Sequence, residues 1–150
     1  MTFGYYLGIF AASVGAAFFF SILFRSPYKA LPISSILGGI AYVVYLLIEH
    51  CSGWTLLGYF GGTLVVVIAS EVAARILKMP STTFIVPSVI VLVPGFGLYR
   101  TMLYLVQSDY GMAAQQGTQT ILAIGAMALA IALGSAVFRS VPHHKKQLGG

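Results

Sequence analysis

The residue types and spacings in this chain that point to chemistry are concentrated in one run, Pro94-Gly95-Phe96-Gly97-Leu98-Tyr99-Arg100, with Pro87 seven residues before it. A proline lacks the backbone N–H and clashes with the preceding turn, and glycine can adopt positive φ. The pattern predicts two half-helices meeting at an unwound Pro94-Gly95-Phe96-Gly97 break, the second half starting near Gly97. The N-terminus of that second half presents free N–H groups and a positive dipole end. Arg100 follows about one turn later with a planar fork that matches a carboxylate bidentately. Pro94, Gly95, Gly97 and Arg100 are therefore candidate solute-binding residues, and a small carboxylate is the solute they suit. Two plainer readings stand beside this one: Arg100 snorkels to headgroups or pairs with Asp109, and the Pro-Gly break merely kinks a helix.

Other reactive groups are few. Glu71 stands four residues before Arg75, the spacing of a local helical ion pair, and is a candidate coupling group as an alternative. Tyr42, Tyr45 and Tyr59 can offer hydroxyls to a cavity, although aromatic packing explains them as well. His143 and His144 adjoin Lys145 and Lys146 in a solvated tail. No metal-ligand spacing, phosphate-binding glycine loop or Ser-His-Asp set is present, so neither a cofactor nor catalysis is expected. Cys51, the one cysteine, reads as a passive thiol.

The elements that must position these residues follow from composition. Of 150 residues, 59% are hydrophobic and 7% charged, with 17 glycines, and mean hydropathy is +0.94. A soluble domain carries about 25% charge, so the surroundings of this chain are lipid. Its net charge of +5 comes from basic residues at the ends of apolar runs, which is a topology signal and not a nucleic-acid patch. The uncharged stretch from Met1 to Phe24 lacks a basic leader and is expected to remain as a span.

Charges and turn residues divide the chain into five apolar runs near the ~20 residues that cross a bilayer as helix. The expected spans are about 3–24, 31–48, 54–74, 84–106 and 118–138, in one membrane domain followed by a tail at 139–150. The fold class is an all-α integral membrane protein of five helices, the fourth broken at Pro94-Gly95. The 30 residues from Met79 to Ser108 would reach ~45 Å as one straight helix, too long for one upright span. Centred on 84–106, the break falls near mid-membrane, where open backbone is tolerated only inside protein or beside a wet cavity.

Arg25 and Lys29 follow span one, Arg75 and Lys78 follow span three, and Arg139, Lys145 and Lys146 follow span five. Glu49 and Asp109 occupy the other two connections. The positive-inside rule then predicts an outside N-terminus and a cytoplasmic C-terminus. Gly4 with Gly8, and Gly58 with Gly61 and Gly62, form small-residue patterns that let helices approach closely. Trp54, Tyr5, Tyr6 and Tyr110 at one boundary and Tyr28 at the other fit interfacial anchoring.

The run Pro87 to Met102, with Pro94-Gly95-Phe96-Gly97-Leu98-Tyr99-Arg100-Thr101-Met102, resembles the signature of the threonine/serine exporter family in its C-terminal five-span half. Val14-Gly15-Ala16-Ala17, Phe24-Arg25-Ser26-Pro27, Ala73-Ala74-Arg75 and Lys78-Met79-Pro80 support the likeness from about Ser13 to about Val106. The resemblance implies a bacterial plasma-membrane exporter of small carboxylate solutes: threonine and serine, or in split members dicarboxylates such as succinate. It adds Tyr99 to Pro94, Gly95 and Arg100 as a motif residue. It also implies that a small five-span subunit works with a homologous membrane protein bearing a cytoplasmic domain.

An odd number of spans inverts a tandem second unit, and two such halves make the inverted-repeat architecture of alternating access. One half of a transporter is thus expected, acting with a homologous half or as a homo-oligomer. The alternative is a non-transporting membrane interaction or assembly subunit whose glycine faces dock a partner.

Overall fold

The structure, a computed structural model, describes residues 3–139, so the expected tail lies outside the described residues apart from the helical backbone of residue 139. Six α-helices account for nearly all of it: α1 (Phe3–Leu23), α2 (Leu31–Ser52), α3 (Thr55–Leu77), α4 (Thr82–Val89), α5 (Gly95–Val106) and α6 (Tyr110–Arg139). A 3-10 turn over Ile90–Leu92 extends α4. Helices α1, α2, α3 and α6 are long and apolar enough to cross a membrane. The pair α4 with its 3-10 extension and α5, bent by 49° at the break, makes a fifth candidate span. An apolar chain reaches this state because helices satisfy every peptide group within their own segment.

Local sequence sets the ends. Pro32 lies in the first turn of α2, where its missing N–H costs nothing. Gly53 closes α2 at φ 69°, the left-handed conformation that glycine adopts freely, and its N–H donates to the Glu49 carbonyl at 2.8 Å. Glu49 and His50 are therefore in the last turn of α2, not in the connection. At the opposite end Lys78 takes the left-handed cap of α3 at φ 55°, and Pro80 follows. Helix α6 begins at Tyr110, well before the expected span, because the Asp109 carboxylate accepts the Met112 N–H at 3.1 Å and caps it.

The predicted break is present, but its chemistry differs from the expectation. Helix α4 runs through Pro87, and the unwound residues are Val93 (ψ 127°) and Pro94 (ψ 61°). Gly95, Phe96 and Gly97 already form the first turn of α5, and neither Gly95 nor Gly97 has positive φ. Proline geometry alone turns the chain here.

Helix α2 is central, packing on α1, α3 and α4, while α3 also packs on α6. The Gly58 and Gly62 pattern is the α2–α3 seam: a Cβ on Gly58 would stand 2.9 Å from the Tyr45 carbonyl, and one on Gly62 would stand 2.8 Å from the Ala41 carbonyl. Gly4 and Gly8 meet nothing within 4 Å, so the first small-residue pattern packs no helix of this chain. At the end carrying the α1–α2 and α3–α4 turns, the hydroxyls of Ser21 and Ser34 lie 2.8 Å apart, and the Ser88 hydroxyl donates to the Ser34 carbonyl at 2.9 Å. These bonds tie α1, α2 and α4 together around Phe84, which is fully buried. Arg25, Lys29, Arg75 and Lys78 all lie at this same end, in or beside its two turns.

Overpacking a close helix seam costs about 1–3 kcal/mol. Gly62→Val should therefore lower the thermal unfolding midpoint in detergent clearly, whereas Gly8→Val should leave it almost unchanged.

Candidate functional site

The 49° bend has a direct structural consequence. While α4 packs on α2 and α3, α5 swings away and packs on α6 alone. The space vacated between α5 and the first half of α3 is a cavity of about 590 Å³, at the end carrying the α2–α3 and α5–α6 turns. Its volume is that of a small-molecule site. Leu92, Pro94 and Ala123 line it, as do Gly53, Trp54 and Thr55. The opposite end of the bundle holds the fully buried Phe84 and the serine-bonded helices.

Of the residues singled out in the sequence, Pro94, Gly95, Gly97 and Arg100 line this cavity together. The first-turn amides of α5 lack helical partners, as at any helix N-terminus, and here that turn borders the cavity. Gly97 is where α5 and α6 touch: a Cβ there would meet the Thr120 hydroxyl at 2.5 Å. Small size, and not backbone freedom, is what this position requires.

Arg100 is the one charged residue on the lining. Its guanidinium lies over the Phe96 ring, 5.0 Å from the centroid, an arrangement that orients the fork without neutralising it. Among the described residues it has no carboxylate partner; the alternative pairing with Asp109 does not form, because that carboxylate caps α6. Tyr99 is 62% exposed and is not on the lining. Successive residues on a helix turn by about 100°, so Tyr99 cannot share the face of Arg100.

Glu71 lies apart from the cavity, twelve residues or about 18 Å along α3 from Tyr59. The expected Glu71–Arg75 pair is not formed. Arg75 instead donates to the Phe138 carbonyl at 2.6 Å and covers the Phe138 ring, tying α3 to α6.

The other wall comes from residues that the sequence reading weighed as packing or anchors. Tyr42, Tyr45 and Tyr59 line the cavity and also pack on one another, with ring centroids 5.6 Å (Tyr42–Tyr45) and 4.6 Å (Tyr45–Tyr59) apart. Trp54 lines it as well. From α6 come Gln116, Gln119 and Thr120, which sequence reasoning missed. Their i, i+3, i+4 spacing on an otherwise apolar helix is a one-face polar stripe, and that signal was available.

If the cleft is aqueous, single cysteines in a Cys51→Ser background will report it. Gln119→Cys and Tyr59→Cys should react with a membrane-impermeant maleimide added from the cavity side, and Val66→Cys should not.

Comparison with known proteins agrees with this architecture. Residues 9–137 match the family model described as Threonine/Serine exporter. No curated protein and no solved structure matches the chain.

Proposed function

The chain belongs to the threonine/serine exporter family, and from that premise we propose that it is the membrane subunit of a secondary transporter that exports small carboxylate solutes by alternating access. It is a multi-pass membrane protein of a transporter family. The observation that carries the proposal is the cavity at the helix break, where an unpaired guanidinium and the first turn of α5 face the same space. A carboxylate bound there would receive the Arg100 fork and the favourable helix end at once. Discontinuous helices provide such sites in secondary transporters.

In this reading Pro94 and Gly95 shape the turn, Gly97 lets α5 approach α6, and Arg100 holds the solute. Threonine, serine and dicarboxylates such as succinate all carry the required group. The cavity beside the α2–α3 and α5–α6 turns and the packing around Phe84 at the opposite end support a protein caught in one of two access states. The positions of Arg25, Lys29, Arg75 and Lys78 support a bacterial plasma-membrane orientation with that packed end cytoplasmic. Arg100 is itself exposed in the single chain, as is Tyr99. Exposed charge is costly in lipid, which supports a second membrane half lying against α5, either a homologous five-span protein with a cytoplasmic domain or another copy of this chain. Tyr99 then belongs to that contact. Glu71, on the side away from the cavity, is assigned to coupling and not to solute contact.

Uptake of labelled threonine, serine and succinate into inverted membrane vesicles, with and without the companion, tests the proposal. A hydrogen-bonded charge contributes about 1.5–3 kcal/mol, so Arg100→Gln should weaken solute handling by roughly ten- to hundredfold, and Arg100→Lys should fall between it and the unmodified protein. Both variants should insert normally. Unchanged flux in both would leave a membrane assembly subunit as the function.

A further inference from the structure

Resting on the transporter reading, a solute that enters the cavity from one end must leave by the other, and the face of α3 that leads there carries an unexplained polar feature. Thr55 and Tyr59 of α3 line the cavity. Steps of four and then seven residues from Tyr59 return to nearly the same face of the helix, at Thr63 and Ser70. The face that walls the cavity in the first half of α3 thus continues into the core, with Ser70 about 16 Å along the axis from Tyr59. Both Thr63 and Ser70 are fully buried, and neither hydroxyl has a hydrogen-bond partner among the described residues.

Four other buried hydroxyls behave differently. Ser21, Ser34, Ser88 and Thr120 each donate to the carbonyl four residues back, at 2.7–2.8 Å. A hydroxyl left unpaired in the interior is destabilising, and Val or Ala in its place would carry no such cost. Two of them on one face, in line with a cavity, are accounted for by a second state in which that face is wet.

The structure also defines what covers this face. Around the helix axis Thr63 and Ser70 fall between Val66 and Val67, which pack with Ile85 and Val89 of α4 and with Leu92 of the 3-10 turn. Leu92 borders the cavity yet is only 2% exposed, and a Cβ on Gly62, the residue before Thr63, would stand 2.9 Å from Leu92 Cδ2. Leu92 therefore touches both the cavity and α3 beside Thr63. It also immediately precedes the unwound Val93–Pro94 pair, where no helical ladder resists a hinge motion of α4 against α5.

We infer that the α3–α4 seam is the closed half of the solute path: Leu92 is its gate, and Thr63 and Ser70 are the hydroxyls that meet the solute and its water when α4 moves off α3 in the second access state.

Two sets of variants test this in membrane vesicles from the native host. Thr63→Val and Ser70→Ala remove hydroxyls that bond nothing in the closed seam. Each should leave the thermal unfolding midpoint unchanged or raised, and each should lower the flux of whichever of labelled threonine, serine and succinate the unmodified protein carries by about fivefold, the worth of one neutral hydrogen bond. In a Cys51→Ser background, Thr63→Cys and Ser70→Cys should react with a membrane-impermeant maleimide from the face opposite to the one that labels Gln119→Cys. Ala17→Cys, buried between α1 and α2, should react from neither face. Leu92→Ala should let the reagent reach Thr63→Cys from the cavity side as well. A lowered midpoint in both hydroxyl variants would mean that these groups are structural, and would overturn the inference. Unchanged flux in both, or no labelling of either cysteine from the opposite face, would place the path elsewhere and overturn it too. Flux that still depends on Arg100 would in those cases leave the transporter reading standing. Transport of none of the three solutes by the unmodified protein would sink both.

Discussion

A bilayer offers peptide groups no water, and that constraint orders this whole molecule. Four of its six helices, α1, α2, α3 and α6, are long enough to pass from end to end on their own hydrogen-bond ladders, and α4 and α5 are the two halves of the remaining span. The ladder is abandoned inside the bundle at one place, Val93–Pro94, between the 3-10 turn and α5. Open backbone in the interior requires protein or a wet space around it, and here it borders the cavity: the turn that breaks the ladder also tilts α5 away from α3. The break and the cleft are one structural event, since a straight helix in this position would pack on α3 as α4 does.

Around that event the bundle is held by devices that work without a hydrophobic driving force, which lipid does not provide. Helices α2 and α3 approach through Gly58 and Gly62, and α5 touches α6 through Gly97 against Thr120. Hydroxyl bonds among Ser21, Ser34 and Ser88 close the far end. Two further buried hydroxyls, on Thr63 and Ser70, have no hydrogen-bond partner among the described residues. The distribution is uneven along the membrane normal. The inter-helix hydroxyl bonds gather toward the basic end, and the larger side chains Tyr42, Tyr45, Tyr59 and Arg100 gather around the space at the other.

Because so few charges are present, each one left unpaired shapes the site strongly. Asp109 is used in capping α6, and Arg75 in bridging α3 to α6. Arg100 has no carboxylate partner among the described residues and is the one charge on the cavity lining, while Glu49 accepts the Thr55 hydroxyl.

Much of this was legible in the amino-acid sequence. Hydropathy and charge spacing determined an all-helical membrane protein, and the Pro94-Gly95 pair located the break, because proline's missing donor acts wherever the chain goes. Arg100 was legible as a charge inside an apolar run, and it lines the cavity. What residue types could not supply was direction. Whether Tyr99 or Phe96 shares the face of Arg100 depends on where α5 begins, and Pro94 set that start at Gly95, earlier than the run of glycines implied. Gln116, Gln119 and Thr120 came to the cavity because α5 packs on α6, a contact between distant parts of the chain. Glu49 read as a loop charge, and only the extension of α2 to Ser52, with Thr55 across the Gly53 turn, let its carboxylate accept the Thr55 hydroxyl. Local chemistry determined the elements and their interruption; the mutual orientation of helices, which no single segment encodes, decided which side chains meet.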